Sequence, residues 1–191
     1  MKKFALTGLL ALAAAAVAAA VATTVATTVA AAETPLATIP TLDTARYAGT
    51  WYEIAKYPNY FQRKCLSDTV ANYSAQPDGT IRVDNRCVQE GGKVEQAVGQ
   101  ARQPAGPASP KLEVRFAPAW LSFLPMVWGD YWVIDLDPGY TLAAVSEPKR
   151  EYLWILSRTA KVEPQAYAAL VQRLAARGFD TSKLVVTKQG N

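Results

Sequence analysis

From Gly49 onward, short runs of β-branched, aromatic and aliphatic residues alternate with turn signals, about one turn every ten residues. The runs predict strands over 50–57, 69–74, 80–88, 94–102, 111–116, 127–136, 140–145 and 152–157. Gln76-Pro77-Asp78-Gly79 and Asp137-Pro138-Gly139 are strong turns. Pro presets φ, Asp bonds its own backbone, and Gly supplies positive φ. Gly91-Gly92, a Pro/Gly-rich link before Lys111 and Glu147-Pro148-Lys149-Arg150 mark further turns, and a long connection through Pro58 and Cys65 follows the first strand. Eight strands in a meander predict an all-β fold: a closed, eight-stranded, up-and-down antiparallel barrel, whose closure leaves no exposed edge.

One segment changes period. Tyr167, Leu170, Val171 and Leu174 fall at helical spacing, Pro164 suits a first turn, and Gly178 suits the position past the end. This predicts one C-terminal α-helix on the outside of the barrel, then a short final strand over 183–187. In the eighth strand Leu153 and Ile155 alternate with Tyr152, Trp154 and Leu156. Both faces are apolar, so one can face the interior and the other the helix. A barrel of eight strands is just wide enough to hold one small ligand.

The N-terminus changes the picture of the domain. Met1-Lys2-Lys3, a charge-free run from Phe4 to Ala32 and the small residues Ala30-Ala31-Ala32 read as a secretory signal over 1–32. The apolar run is longer than usual, so an uncleaved membrane anchor is the alternative. A flexible segment over 33–41 and a barrel domain over 42–191 complete the expected organisation. The location is then periplasmic or secreted, or membrane-anchored if the segment stays. Without the two lysines at its start, the net charge falls from +4 to +2. Lys and Arg form no cluster, so no nucleic-acid partner is expected. The chain has no His, which excludes His-dependent triads, His-ligated haem and His-based zinc sites. No cofactor or metal is expected. Its two cysteines, Cys65 and Cys87, are expected to pair in an oxidising compartment.

Three motifs stand in order: Gly49-Thr50-Trp51 at the first strand, Asp137 followed by Tyr140 after the sixth, and Arg158 at the end of the eighth. Together they resemble the lipocalin family, in particular its bacterial branch, over Leu42 to Gln189. Leu136 stands where that family usually has Thr, and Pro138-Gly139 separates Asp from Tyr. No Cys precedes Cys65 to accept N-terminal lipid, a departure from many bacterial lipocalins. The resemblance implies that Arg158 packs across Trp51 and closes one end, so Gly49, Trp51, Asp137 and Arg158 are expected to be structural. Strand direction agrees, because starts of odd strands and ends of even strands fall together. The opposite end should be open and should gather the 58–65 connection, Trp128, Tyr152 and Trp154. Cys87 also falls there, so a Cys65–Cys87 disulfide should pin the first long loop at the rim.

The resemblance implies a fatty acid or lysophospholipid inside the barrel, with Trp128 and Trp154 at aromatic pocket positions. Read from the residues, Trp154 shares a face with Leu156, and Trp128 with Trp132 and Ile134. These indoles either line a cavity or fill a small barrel. If Trp51 points inward, Glu53, Ala55 and Tyr57 share its face. A buried carboxylate needs a partner, so Glu53 either meets a head group, an internal Arg or water, or is solvated outside. Asn85, on the Ile81/Val83 face, is a further polar candidate. The expected ligand-binding set is Trp128, Trp154, Glu53, Tyr57, Trp132, Asn85 and Tyr152. The apolar connection 120–127 is either a lip that contacts membrane or a lid over the mouth.

The leading functional reading is a non-enzymatic binder or carrier of a small lipophilic ligand in the cell envelope. A second reading is an enzyme in the same cavity, with Cys65 or Cys87 as nucleophile or Glu53 as acid/base. The missing His and the expected disulfide weigh against it. A third is a protein-binding module that uses the apolar rim. A homodimer is compatible with the resemblance and is not required by the sequence.

Overall fold

The computed structural model of the chain describes residues 34–190, so the signal or anchor segment expected over 1–32 lies outside the described residues. The elements in order are α1 (Thr44–Tyr47), β1 (Gly49–Lys56), β2 (Ser67–Ala75), β3 (Ile81–Val88), β4 (Val94–Arg102), β5 (Lys111–Arg115), β6 (Gly129–Leu136), β7 (Leu142–Ser146), β8 (Leu153–Ser157), α2 (Pro164–Ala176) and β9 (Val185–Val186). Each strand pairs with its sequence neighbour from β2 to β8, and β1 pairs with both β2 and β8. Strands β1–β8 therefore close into the expected antiparallel up-and-down barrel. β9 adds to β1 outside that ring.

Side chains sort into two apolar bodies, one on each side of the wall. The outer one seats α2: Leu170 and Leu174 are fully buried against Leu153 and Ile155 of β8 and Ile134 of β6. An ion pair adds to this seat, with Arg173 of α2 donating two hydrogen bonds to Asp135 at 2.9 and 2.8 Å. The inner body gathers Trp51, Tyr73, Val83, Leu112, Val133 and Leu156 around the barrel axis.

Two β-bulges decide which residues face which side. Along β1 and β8, Tyr52 pairs with Ser157 and Glu53 with Leu156, but the next pair is Ala55 with Ile155. Ile54 is one residue in excess, and the strand's two faces exchange beyond it. Along β6 and β7, Val133 pairs with Val145 and Asp135 with Ala144, so Ile134 is likewise in excess.

The ends of the domain are tied down. The segment over 34–41, expected to be flexible, is docked: Leu36 is buried in the helix-side core, and the Ile39 N–H donates to the Val133 carbonyl at 3.1 Å. The final strand is shorter than expected, and the residues after it have a distinct role. Pairing of β1 with β2 stops at Tyr52 and Val70. Beyond that point the two strands are bridged by the C-terminal tail. Thr187 N–H donates to the Ile54 carbonyl at 2.9 Å, and Asp68 N–H donates to the Lys188 carbonyl at 2.8 Å. Gln189 Nε2 donates to the carbonyls of Glu53 and Thr69 at 2.7 and 3.0 Å.

Candidate ligand cavity

One end of the barrel is shut by a cation on an indole. Trp51 is fully buried, and the Arg158 guanidinium carbon sits 4.0 Å from its ring centroid. Arg158 also donates to three main-chain carbonyls, those of Tyr140 (3.2 Å), Thr50 (2.9 Å) and Arg46 (2.7 Å). Gly49 is required beside it: its φ is +93°, and a Cβ there would lie 3.3 Å from Arg158 Nη1. Asp137 organises the adjoining β6–β7 turn by accepting from the N–H groups of Gly139, Thr141 and Leu142 and from the Thr141 hydroxyl. Burial tends to raise the Asp137 pKa, but these donors outweigh it and hold the carboxyl below its ordinary value.

Above this floor lies a cavity of about 1200 Å³. Its wall includes Ala71, Ile81, Val83, Ala101, Leu112 and Leu156. Phe116 joins the wall by lying across Gly99, where a Cβ would come within 2.7 Å of its ring. The mouth carries the Cys65–Cys87 disulfide, with Cα atoms 5.5 Å apart, which pins the loop after β1 to the end of β3. Tyr60 and Phe61 stand out from that loop, and Trp120, Phe123 and Met126 are 72, 74 and 85 % exposed on the connection between β5 and β6. That connection presents these three side chains to solvent at the rim, and its Met126 and Val127 also border the cavity.

Apart from the charged side chains around the mouth, three sets of polar groups line the cavity. Glu53, buried beside the mouth, accepts from Lys56 Nζ (2.8 Å), the Thr187 hydroxyl (2.6 Å) and Gln62 Nε2 (2.5 Å). Gln62 in turn accepts from the Trp154 indole at 2.9 Å. Glu53 thus has its partners within the chain, and it holds the mouth loop, the C-terminal tail and Trp154 in one network. Thr69 and Asn85 form the second set. The Thr69 hydroxyl and Asn85 Oδ1 are buried, and neither has a hydrogen-bond partner among the described residues. Such atoms cost free energy until something meets them. The third set is Tyr47, Tyr73 and Tyr131. Tyr131 Oη lies 2.9 Å from Tyr47 Oη and 3.0 Å from Tyr73 Oη. Burial pushes the Tyr73 phenol up to about 12 and raises the other two well above their ordinary value.

Among the residues expected to bind ligand, Trp154, Glu53, Asn85 and Tyr152 line the cavity. Tyr152 lies at the mouth, stacked on Trp154 with ring centroids 5.7 Å apart. Trp128 also lines the cavity, at its rim, with its indole 3.9 Å from the Arg102 guanidinium and 5.2 Å from that of Arg115. Two residues belong elsewhere. Tyr57 lies beyond the Ile54 bulge, so its ring joins Phe179 on the helix side and its hydroxyl donates to the Asp180 carbonyl at 2.9 Å. Ala55 faces the helix side for the same reason. Trp132 faces outward under the Lys111 ammonium at 4.2 Å, because Tyr131 and Val133 take the inner face of β6. The three tyrosines were absent from the expected set. Once Tyr131 is placed inward with Val133, strand alternation finds it, and Tyr73 follows from its pairing with Gly49. Tyr47 sits on a four-residue helix that carries no periodic signal.

Comparison with known proteins agrees with this geometry. Residues 42–189 match the family model of the lipocalin-like domain. The chain is 43 % identical to temperature-induced lipocalin-1 of Arabidopsis thaliana over 159 residues, covering 82 % of this chain and 84 % of that protein. It is 35 % identical to the outer membrane lipoprotein Blc of Escherichia coli K12 over 155 residues, 81 % of this chain and 83 % of the other. The structure of insecticyanin from the tobacco hornworm Manduca sexta superposes with a TM-score of 0.60 at 21 % identity, over 78 % of this chain and 82 % of the other, a likeness of fold. With its barrel shut at one end by Arg158 on Trp51 and hollow at the other, the chain belongs to the lipocalin family.

Proposed function

We propose that this protein binds and carries a fatty acid or lysophospholipid in the cell envelope, without catalysis. The observation that carries the reading is the cavity of about 1200 Å³, walled by apolar side chains and open at one end. Each CH₂ taken from water contributes about 0.8 kcal/mol. Affinity should therefore rise about fourfold per added CH₂ until the chain fills the hollow. Near the mouth, the unpartnered Thr69 hydroxyl and Asn85 Oδ1 offer hydrogen bonds to a head group or glycerol oxygen. The exposed Trp120, Phe123 and Met126 would touch membrane during loading and release. An envelope location is supported by the basic, apolar and small-residue pattern over 1–32 and by the likeness to an outer membrane lipoprotein.

Organic extraction of protein purified from its own host, followed by mass spectrometry, should release acyl lipid. Titration with saturated fatty acids and lysophosphatidylcholine, read by tryptophan fluorescence, should saturate at one site. Absence of both bound lipid and saturable binding would refute the carrier reading and favour the apolar rim as a protein-binding surface. Ser in place of Trp120 and Phe123, which do not line the cavity, should slow transfer to zwitterionic liposomes by about tenfold or more and leave the Kd in solution unchanged. Transfer at the wild-type rate would refute membrane contact through this lip.

A further inference from the structure

The inner end of the cavity holds more hydrogen-bond donors than it can use. Tyr47, Tyr73 and Tyr131 come from α1, β2 and β6, and all three line the cavity. Their raised pKa values keep all three phenols protonated through neutral pH. Three O–H groups thus meet across two O···O contacts. Each contact consumes one proton, so at least one O–H finds no acceptor within the cluster. These hydroxyls make no other hydrogen bond among the described residues. A donor left unmet in an apolar enclosure is a cost that a bound oxygen removes.

We infer that the tyrosine cluster is a second polar subsite, which takes a neutral oxygen at the buried end of an elongated lipophile. This rests on the carrier reading and goes beyond it. A carboxylate does not suit the spot. Arg158, the cation whose field reaches Tyr47 and Tyr73, has its guanidinium committed to three main-chain carbonyls. A buried anion without a paired cation is costly. A hydroxyl or carbonyl carries no such charge and accepts the spare proton. The favoured ligand class is therefore a lipophile with polar groups at both ends, such as an acyl chain oxygenated at its far end.

The test compares matched pairs of saturated acids and their ω-hydroxy forms at twelve, fourteen and sixteen carbons, by fluorescence titration. They are measured on the wild-type protein and on the Tyr47→Phe/Tyr73→Phe/Tyr131→Phe variant, which keeps the rings and removes the oxygens. At the length that reaches the cluster, the ω-hydroxy acid should bind the wild type at least as tightly as its parent. The variant should weaken the hydroxy acid relative to its parent by about tenfold. The same ratio in both proteins at every length would overturn the subsite and leave the carrier reading intact, because the parent acids report on the cavity itself. Loss of parent-acid binding by the wild type would overturn the carrier reading first. If the variant does not fold, the wild-type ratio decides alone. A hydroxyl penalty above about threefold at every length overturns the subsite, and parity or preference at any length upholds it.

Discussion

Replacing Arg158 by Lys tests what closes the barrel. The charge stays, but the planar fork is lost. Arg158 now bridges the carbonyls of Tyr140, Thr50 and Arg46 while stacked on Trp51. An ammonium at the end of a flexible stem can serve one of those carbonyls well. Two hydrogen bonds to a charged donor are then lost, each contributing about 1.5–3 kcal/mol where fully shielded. Arg158 is partly exposed, so water recovers part of that loss. Weaker stacking on the indole subtracts up to about 1 kcal/mol. The sum is roughly 2–4 kcal/mol of stability, or roughly 5–15 °C in Tm for a domain of this size. Urea and thermal unfolding, followed by circular dichroism and tryptophan fluorescence, measure it. Arg82→Lys, on an exposed side chain of β3, is the control and should change stability by less than about 0.5 kcal/mol. Fatty-acid affinity of the folded Arg158→Lys protein should match the wild type, since Arg158 does not line the cavity. A loss below about 1 kcal/mol, or an affinity that falls while stability holds, would refute this account of the closed end.

Other outcomes follow from the same structure. Cys65→Ser/Cys87→Ser should lose about 3 kcal/mol in denaturant titration, because the crosslink closes a loop of sequence separation 22, and reduction of the wild type should give the same loss. Leu170→Ala, at a fully buried position under α2, should cost about 2–5 kcal/mol and leave fatty-acid Kd unchanged in the folded protein. For Asp137 the folded pKa is depressed below 3.8, so its contribution is present above the unfolded value and is lost as pH falls through the folded one. Asp137→Asn should therefore be less stable than wild type near neutrality, with the gap closing below pH 3.8, and a gap independent of pH in thermal melts would refute that assignment.

The strand pattern was legible because turn chemistry and β-like runs alternate without interruption. The closed end was legible because the motif resemblance singles out Trp51, Asp137 and Arg158 and strand direction brings them to one end. The site was legible only as far as alternation held. Glu53-Ile54-Ala55 and Val133-Ile134-Asp135 each contain one extra residue, an isoleucine that alternation reads as an ordinary strand position, so the pattern does not mark the slip. The first slip puts Tyr57 on the helix side, whereas Trp132 precedes the second and faces outward because Tyr131 and Val133 take the inner face of β6. Whether Glu53 is buried with partners or solvated stays open in the sequence, because Gln62 and Thr187 reach it from a loop and a tail that no periodicity positions. The tyrosine cluster draws on three distant elements, and only the closed barrel makes them neighbours.

The barrel wall is a single strand thick, yet each residue of β8 serves one side of it: Leu153 and Ile155 bed the helix while Trp154 and Leu156 face the hollow. Mutational drift on one side therefore leaves the other largely untouched. What the hollow selects can change without loosening the scaffold, and the scaffold can be reinforced without redesigning what it holds.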